Sequence, residues 1–227
     1  HQIEQIDTQI FLFFNGFHNV YWDYFMMIFS DRFVWVPFYA SFIFVLLKNF
    51  PVKVVMSTIV VITLIILFSD QTASGILKPL VARMRPSNPD NPISPMVHVV
   101  QGYRGGRYGF PSSHAANAWS MAFFAQYLVR RSKLTIFLCL WALITSYSRM
   151  YLGVHYFGDL LIGTLIGFLY ATLYYYIFQY FLRKHTERFK PNHDIRFASV
   201  PIITGLVSIW VIICTSGILS FYSIPLR

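Results

Sequence analysis

The chain has 227 residues, of which 56% are hydrophobic, 19% aromatic and only 12% charged. A soluble domain of this size carries about twice that charged fraction, and here the apolar residues run in long blocks without an amphipathic period. These features exclude an ordinary soluble globule and predict an all-α, polytopic membrane helix bundle. The formal charge of +9 does not predict nucleic-acid binding, because the cations flank apolar runs, where Lys and Arg anchor spans, or fall in motifs suited to an anionic ligand.

The length allows one domain of five to seven spans, so residues 1–227 are read as a single membrane-embedded unit. The first residue is His1, and no charged-then-apolar leader with a small-residue cleavage site is read at this end. Residues 3–30 are aromatic but interrupted by Glu4, Asp7, Asn15, His18 and Asp23, which predicts interfacial helices within residues 1–32. A six-span bundle then occupies 33–219. Its spans are expected at 33–48, from Val54 to Leu77 with Asp70 inside, from Ser112 to Arg130 and Arg131, and at 134–150, 156–182 and 199–219. Residues 84–111 hold Pro86, Pro89, Pro92, Pro95 and Pro111 with four glycines, and read as a loop. Cys139 and Cys214 lie inside apolar runs without metal-ligand spacing and read as packing residues.

Six spans place the loops 48–53, 130–133 and 183–196 on one face, where they carry ten Lys and Arg. The excess assigns that face to the cytoplasm and the loop 84–111 to the outside.

Three segments carry chemistry. In the first, Lys78 and Arg85-Pro86 stand seven residues apart at a span end, so helical geometry points both cations to one side. A planar fork and a compact ammonium suit phosphate oxygens, although snorkelling at the interface is the ordinary use of such cations. In the second, Phe110-Pro111-Ser112-Ser113-His114 opens a span. A serine N-cap with the free N–H groups of the first turn makes an anion site, with His114 beside it as a proton donor. In the third, Ser148-Arg149 is followed by His155 and Asp159, one helical turn apart. A carboxylate on one ring nitrogen fixes the tautomer and frees the other nitrogen to attack. A capped helix or a structural His–Asp pair would account for either of these two alone; six spans bring all three segments to one face.

These residues resemble the type-2 phosphatidic acid phosphatase superfamily of membrane lipid phosphatases. Its pattern reads Lys, six residues, Arg-Pro; then Pro-Ser-Gly-His; then Ser-Arg, five residues, His, three residues, Asp. Lys78 to Pro86, Pro111 to His114, and Ser148 to Asp159 follow it, with Ser113 where the family usually has Gly. The resemblance implies phosphate binding by Lys78, Arg85, Ser112 and Arg149, to which the Ser113 hydroxyl can add a donor. It implies attack by His155 oriented by Asp159, and proton transfer by His114 to the leaving oxygen and then from water. Asp90 and Asp159 would make a poor Mg²⁺ site, so metal-independent hydrolysis is expected, with no metal and no cofactor. Arg104 and Arg107 in the loop are candidate head-group contacts, although solvated loop charges are the more ordinary reading of such residues. Asp70 is a candidate partner for a motif cation or for a polar group within the bundle.

The same site would serve a lipid phosphotransferase, and the cations alone would serve a non-catalytic binder or transporter of anionic lipids. The expected partners are a lipid substrate and the bilayer, not nucleic acid; oligomeric state is left open. Candidate substrates are undecaprenyl pyrophosphate, lipid A phosphates, phosphatidylglycerol phosphate and phosphatidic acid. The expected location is a bacterial inner membrane with the site facing the periplasm.

Overall fold

The computed structural model describes residues 2–185 and 195–224. Helix α1 (Gln2–Asn15) is followed by α2 (Val20–Phe29), whose N-cap Asn19 accepts from the Trp22 amide at 2.9 Å. Asp31 caps a short 3₁₀ turn, Arg32–Trp35, which leads into α3 (Val36–Asn49). Pro51 fixes the start of α4 (Val52–Asp70). A π-helical stretch, Gln71–Leu77, then joins α4 to α5 (Lys78–Val81) without a break, and Ala82 in the left-handed region (φ 50°) ends the helix. After a long loop come α6 (Ser113–Leu128), α7 (Ser132–Tyr151), α8 (Phe157–His185) and α9 (Val200–Tyr222). Among the described residues there is no strand, only an isolated bridge between Met84 and Tyr108. Cys139 and Cys214 are free thiols.

Among the described residues, four helices are long and apolar enough to cross a membrane: Val52–Val81, Ser132–Tyr151, Phe157–Lys184 and Val200–Tyr222. The pair Val20–Phe29 and Arg32–Asn49, bent by 62°, makes a fifth if it is one broken span. The six spans expected from the sequence are therefore not reached by length and composition. The difference lies at α6, whose 16 residues extend only about 24 Å. It is rich in alanine and small polar residues because it lies inside the bundle instead of against lipid.

That interior position depends on small side chains. Gly163 and Gly167 on α8 stand four apart in a small-xxx-small pattern that lets backbones approach. A Cβ on Gly163 would fall 2.4 Å from the Ser112 carbonyl oxygen, and one on Gly167 would fall 2.5 Å from that of Ala116. Buried Ala115 and Ala116 stand at this contact. Large apolar side chains elsewhere point outward, among them Leu165, Leu169, Leu206 and Trp210, as a lipid-facing surface requires.

Helix direction sorts the ends of the bundle. The ends of α5 and α7 and the starts of α6 and α8 share one end, which carries the three motif segments. The opposite end carries the loops 48–53 and 130–133, and Asn49 there exchanges hydrogen bonds with the Arg196 backbone at 2.8 and 2.7 Å. Of the basic segment 183–196, residues 186–194 lie outside the described residues. The N-terminal helices fold over the motif end: the Asn15 amide donates to the Tyr151 carbonyl at 2.8 Å, and the Tyr24 hydroxyl to that of Ile224 at 2.7 Å.

Candidate active site

Beyond α5 the chain forms a small clasp. The Arg85 amide donates to the Arg107 carbonyl at 3.2 Å, and the Gly109 amide to the Arg83 carbonyl at 2.9 Å. This fixes Arg83 and Arg85 against Gly109. A Cβ at position 109 would lie 3.1 Å from Asp159 Oδ2 and 3.2 Å from Arg85 Cγ. The missing side chain thus lets the loop close on the His–Asp pair.

His155 and Asp159 are 1% and 0% exposed. His155 Nδ1 lies 3.3 Å from Asp159 Oδ2, which also accepts from the Tyr156 amide at 3.0 Å. Arg83 donates to the other carboxylate oxygen, Oδ1, at 3.0 Å. Arg83 is itself held by Asp7 at 2.7 Å and lies over the Tyr156 ring, 3.8 Å from its centroid. The buried carboxylate is therefore paired on both oxygens, as a charge out of water requires.

On the other side of the imidazole, Arg85 Nη1 donates to His155 Nε2 and to the Val154 carbonyl, each at 3.1 Å. A guanidinium only donates, so Nε2 is the acceptor and the ring proton resides on Nδ1, toward Asp159. Burial, reinforced by Arg85, Arg149 and Lys78, holds the His155 ionisation well below the ordinary imidazole value. The ring is therefore neutral near pH 7, with its free lone pair on the side of the cations.

The other cations converge there. Arg149, buried on α7, donates to the Tyr103 hydroxyl at 2.7 Å and to Ser30 Oγ at 3.2 Å. The buried Nε atoms of both Arg85 and Arg149 lack a hydrogen-bond partner. Two buried guanidinium donors without a partner in the protein suit an oxyanion. Lys78 Nζ contacts Ser74 Oγ at 2.9 Å and Ser113 Oγ at 3.4 Å. Asp70 reaches the same relay through Ser74 at 3.4 Å and acts electrostatically on Lys78, so it faces this motif cation without touching it.

Ser112 is the N-cap of α6, accepting from the Ala115 amide at 3.4 Å, and its own amide donates to the Asp159 carbonyl at 3.0 Å. The α6 N-terminus is thus tied to the first turn of α8. Ser113 begins the helix, nearly buried, its hydroxyl turned to Lys78. His114 remains accessible inside a cleft, with the cations Arg149, Arg85 and Lys78 and the neutral His155 ring close to it. A groove of about 520 Å³ leads away from Ser113 and His114 between α3, α4, α6 and α7, and its walls are mainly apolar.

Lys78, Arg85, Ser112, Ser113, His114, Arg149, His155 and Asp159 thus gather at one end of the bundle. Arg104 and Arg107 lie beside them. Gly105 between them sits against Arg85, where a Cβ would be 3.2 Å from Cζ. The Arg104 guanidinium bonds to the Ser87 carbonyl and to Ser94 Oγ, bracing the loop, while that of Arg107 is exposed over Tyr108. Asp90 is exposed on the loop. Among the described residues no three His, Cys, Asp or Glu are placed to hold a metal ion. Sequence reasoning missed Arg83, Asp7 and Tyr103. Arg83 stands in the quoted first segment, and the need to neutralise a buried Asp159 was the available signal; nothing local marks Asp7 or Tyr103.

The fold is that of a membrane-embedded phosphatase. The chain matches the PAP2 superfamily over residues 53–183 and belongs to it. It is a membrane lipid phosphatase. It is 45% identical over 214 residues to the lipid A 4'-phosphatase of Bacteroides thetaiotaomicron, covering 91% of this chain and 93% of that one. It is 33% identical to the lipid A 4'-phosphatase of Porphyromonas gingivalis, covering 78% and 75%. The crystal structure of Aquifex aeolicus LpxE shares the fold, with a TM-score of 0.56 at 20% identity over 74% of this chain and 94% of that one.

Proposed function

We propose that the protein hydrolyses a phosphate monoester of a lipid A-type lipid through a phospho-histidine on His155. The observation that carries this reading is Arg85 on His155 Nε2, with the ring held from behind by Asp159. The phosphate enters among Lys78, Arg85, Arg149 and the α6 N-terminus with Ser112 and Ser113. Its oxygens take over the guanidinium donors, which releases the Nε2 lone pair. Nε2 attacks phosphorus, and the bond to the lipid oxygen breaks as His114 protonates that oxygen. A water then attacks the phospho-histidine, giving its proton to His114, and inorganic phosphate leaves. The fixed cations stabilise charge on the equatorial oxygens in both steps. No step draws on a metal. The groove at Ser113 and His114 accommodates the apolar part of the lipid, and the exposed Arg107 is the better placed of the two loop arginines for a head group. The length of the two lipid A 4'-phosphatase relatives' matches supports the substrate class. The opposed placement of the basic loops supports a bacterial inner membrane with the site toward the periplasm.

The test is phosphate release by purified protein from lipid A, undecaprenyl pyrophosphate, phosphatidylglycerol phosphate and phosphatidic acid, with EDTA present. Lipid A is expected to lead. His155→Ala is expected to lower turnover at least about 10⁴-fold and to abolish an alkali-stable, acid-labile phosphoenzyme. Full turnover by His155→Ala, or loss of activity in EDTA, would overturn the mechanism.

A further inference from the structure

The groove below the phosphate site is apolar apart from a few polar atoms, and three of these are buried without a partner. They are Asn117 Oδ1 on α6 and Thr145 Oγ1 and Trp141 Nε1 on α7. Thr145 and Trp141 are 8% and 4% exposed. Thr145 differs from four other helical threonines of this molecule. Thr58, Thr63, Thr164 and Thr204 each donate to the carbonyl four residues earlier, at 2.8 or 2.9 Å. That is the usual refuge of a helical threonine in an apolar setting, and Thr145 does not take it.

These atoms are graded by depth. Arg149, Thr145 and Trp141 repeat every four residues along one face of α7, which descends from the phosphate end. At 1.5 Å per residue, Thr145 lies about 6 Å and Trp141 about 12 Å below Arg149. Asn117 lies three residues below His114 on α6, about 4.5 Å deeper. One acceptor and one hydroxyl thus stand just beneath the phosphate, and one N–H donor a turn further down.

We infer that Asn117, Thr145 and Trp141 read the acyl linkages of the bound lipid. This rests on the phosphatase reading above and names the lipid by its chemistry. An ester or amide carbonyl accepts from Thr145 or Trp141, and an amide N–H or a chain hydroxyl donates to Asn117. Such groups occur a few bonds below the phosphate of an acylated lipid. A polyprenyl chain has no polar atom below its phosphate and would leave all three unpaired in hydrocarbon, a state that buried polar atoms avoid. The groove therefore selects acylated lipids over polyprenyl ones.

The experiment compares kcat/KM for diacyl phosphatidic acid and its dialkyl ether analogue, which has the same phosphate and chains but no carbonyls, in one detergent. The intact protein should favour the ester lipid about fivefold to tenfold, the factor carried by one or two neutral hydrogen bonds. Thr145→Val, which preserves side-chain shape, and Trp141→Phe should each move that ratio toward one. Asn117 is an acceptor for which neither of these lipids carries a donor, so Asn117→Leu should instead lower kcat/KM for lipid A, with its amides and chain hydroxyls, more than for diacyl phosphatidic acid. Equal turnover of both lipids by the intact protein, or Thr145 and Trp141 variants that lower both by the same factor, would overturn the inference while leaving the phosphatase standing. Absence of phosphate release from either lipid, and from lipid A, would instead remove the phosphatase reading itself.

Discussion

Arg85 occupies the imidazole nitrogen assigned to attack phosphorus, so substrate binding exchanges one acceptor of that guanidinium for another. Its planar fork can hold an oxygen while staying beside the ring. Arg85→Lys keeps the charge and loses the fork, and is expected to lower kcat/KM about 10²–10³-fold, read from phosphate release. The same contact adds to what burial does to the ionisation of His155, which burial first and then the nearby cations hold below the ordinary value. Removing one cation should raise it: in Arg85→Gln, a ¹⁵N titration of the imidazole should show protonation at higher pH than in the parent. The sign for stability follows. A folded value below the unfolded one of about 6.5 makes the contribution of this group complete above that pH, and lost as pH falls. Arg83 acts one bond further out, through the carboxylate. Arg83→Ala strands a fully buried Asp159 and should cost about 2–4 kcal/mol, less than a wholly buried pair because Arg83 is partly exposed, measured by denaturation in detergent.

At the scale of helices, the site exists because α6 and α8 touch. Gly163 and Gly167 set that approach, and a side chain at either enters backbone oxygen at 2.4–2.5 Å. Gly163→Val is expected to separate the α6 N-terminus from the His–Asp pair and to reduce kcat more than KM, in steady-state assays on folded protein. Ser113→Gly should do little by comparison. Lys78 keeps its 2.9 Å bond to Ser74 and loses only the 3.4 Å contact, so activity should stay within about fivefold, the worth of one weak hydrogen bond; complete loss would give Ser113 an essential part. The helices themselves were legible in the hydropathy of the chain, within a few residues at most ends. Three things were not. The interior position of α6 is hidden because a helix shielded by its neighbours needs no hydrophobic stripe, and its alanines read as an ordinary span. The π-helical turn at Gln71–Leu77, after which Asp70, Ser74 and Lys78 align, leaves hydropathy unchanged. The choice of Arg83 over Arg85 as the Asp159 partner depends on the clasp between residues 83–85 and 107–109, a pairing across a loop whose glycines and prolines announce only that it is irregular.

For the molecule as a whole, the N-terminal helix is a brace on the catalytic end. Its outward side chains, Ile3, Ile6 and Phe13, are exposed and suit the interface, but its inward contacts are polar and specific. Asp7 accepts from the Gly158 amide at 2.8 Å and pairs with Arg83 at 2.7 Å. Eight residues later the buried Asn15 side chain accepts from the His98 amide and donates to the Tyr151 carbonyl, both at 2.8 Å. One anchor steadies the cation behind Asp159, and the other ties the loop to the end of α7. A helix merely resting on the membrane would tolerate the loss of either. The brace predicts otherwise: Asp7→Ala should lower the melting temperature by about 2–6 °C, the equivalent of about 1–2 kcal/mol for a chain of this size. Asp7→Asn, which keeps an acceptor for Gly158 and loses the charge toward Arg83, should fall between. Turnover should drop in the same order, by no more than about tenfold, because Arg83 retains Asp159 and still fixes the carboxylate behind the nucleophile. An unchanged melting temperature in Asp7→Ala would reduce α1 to an interfacial float.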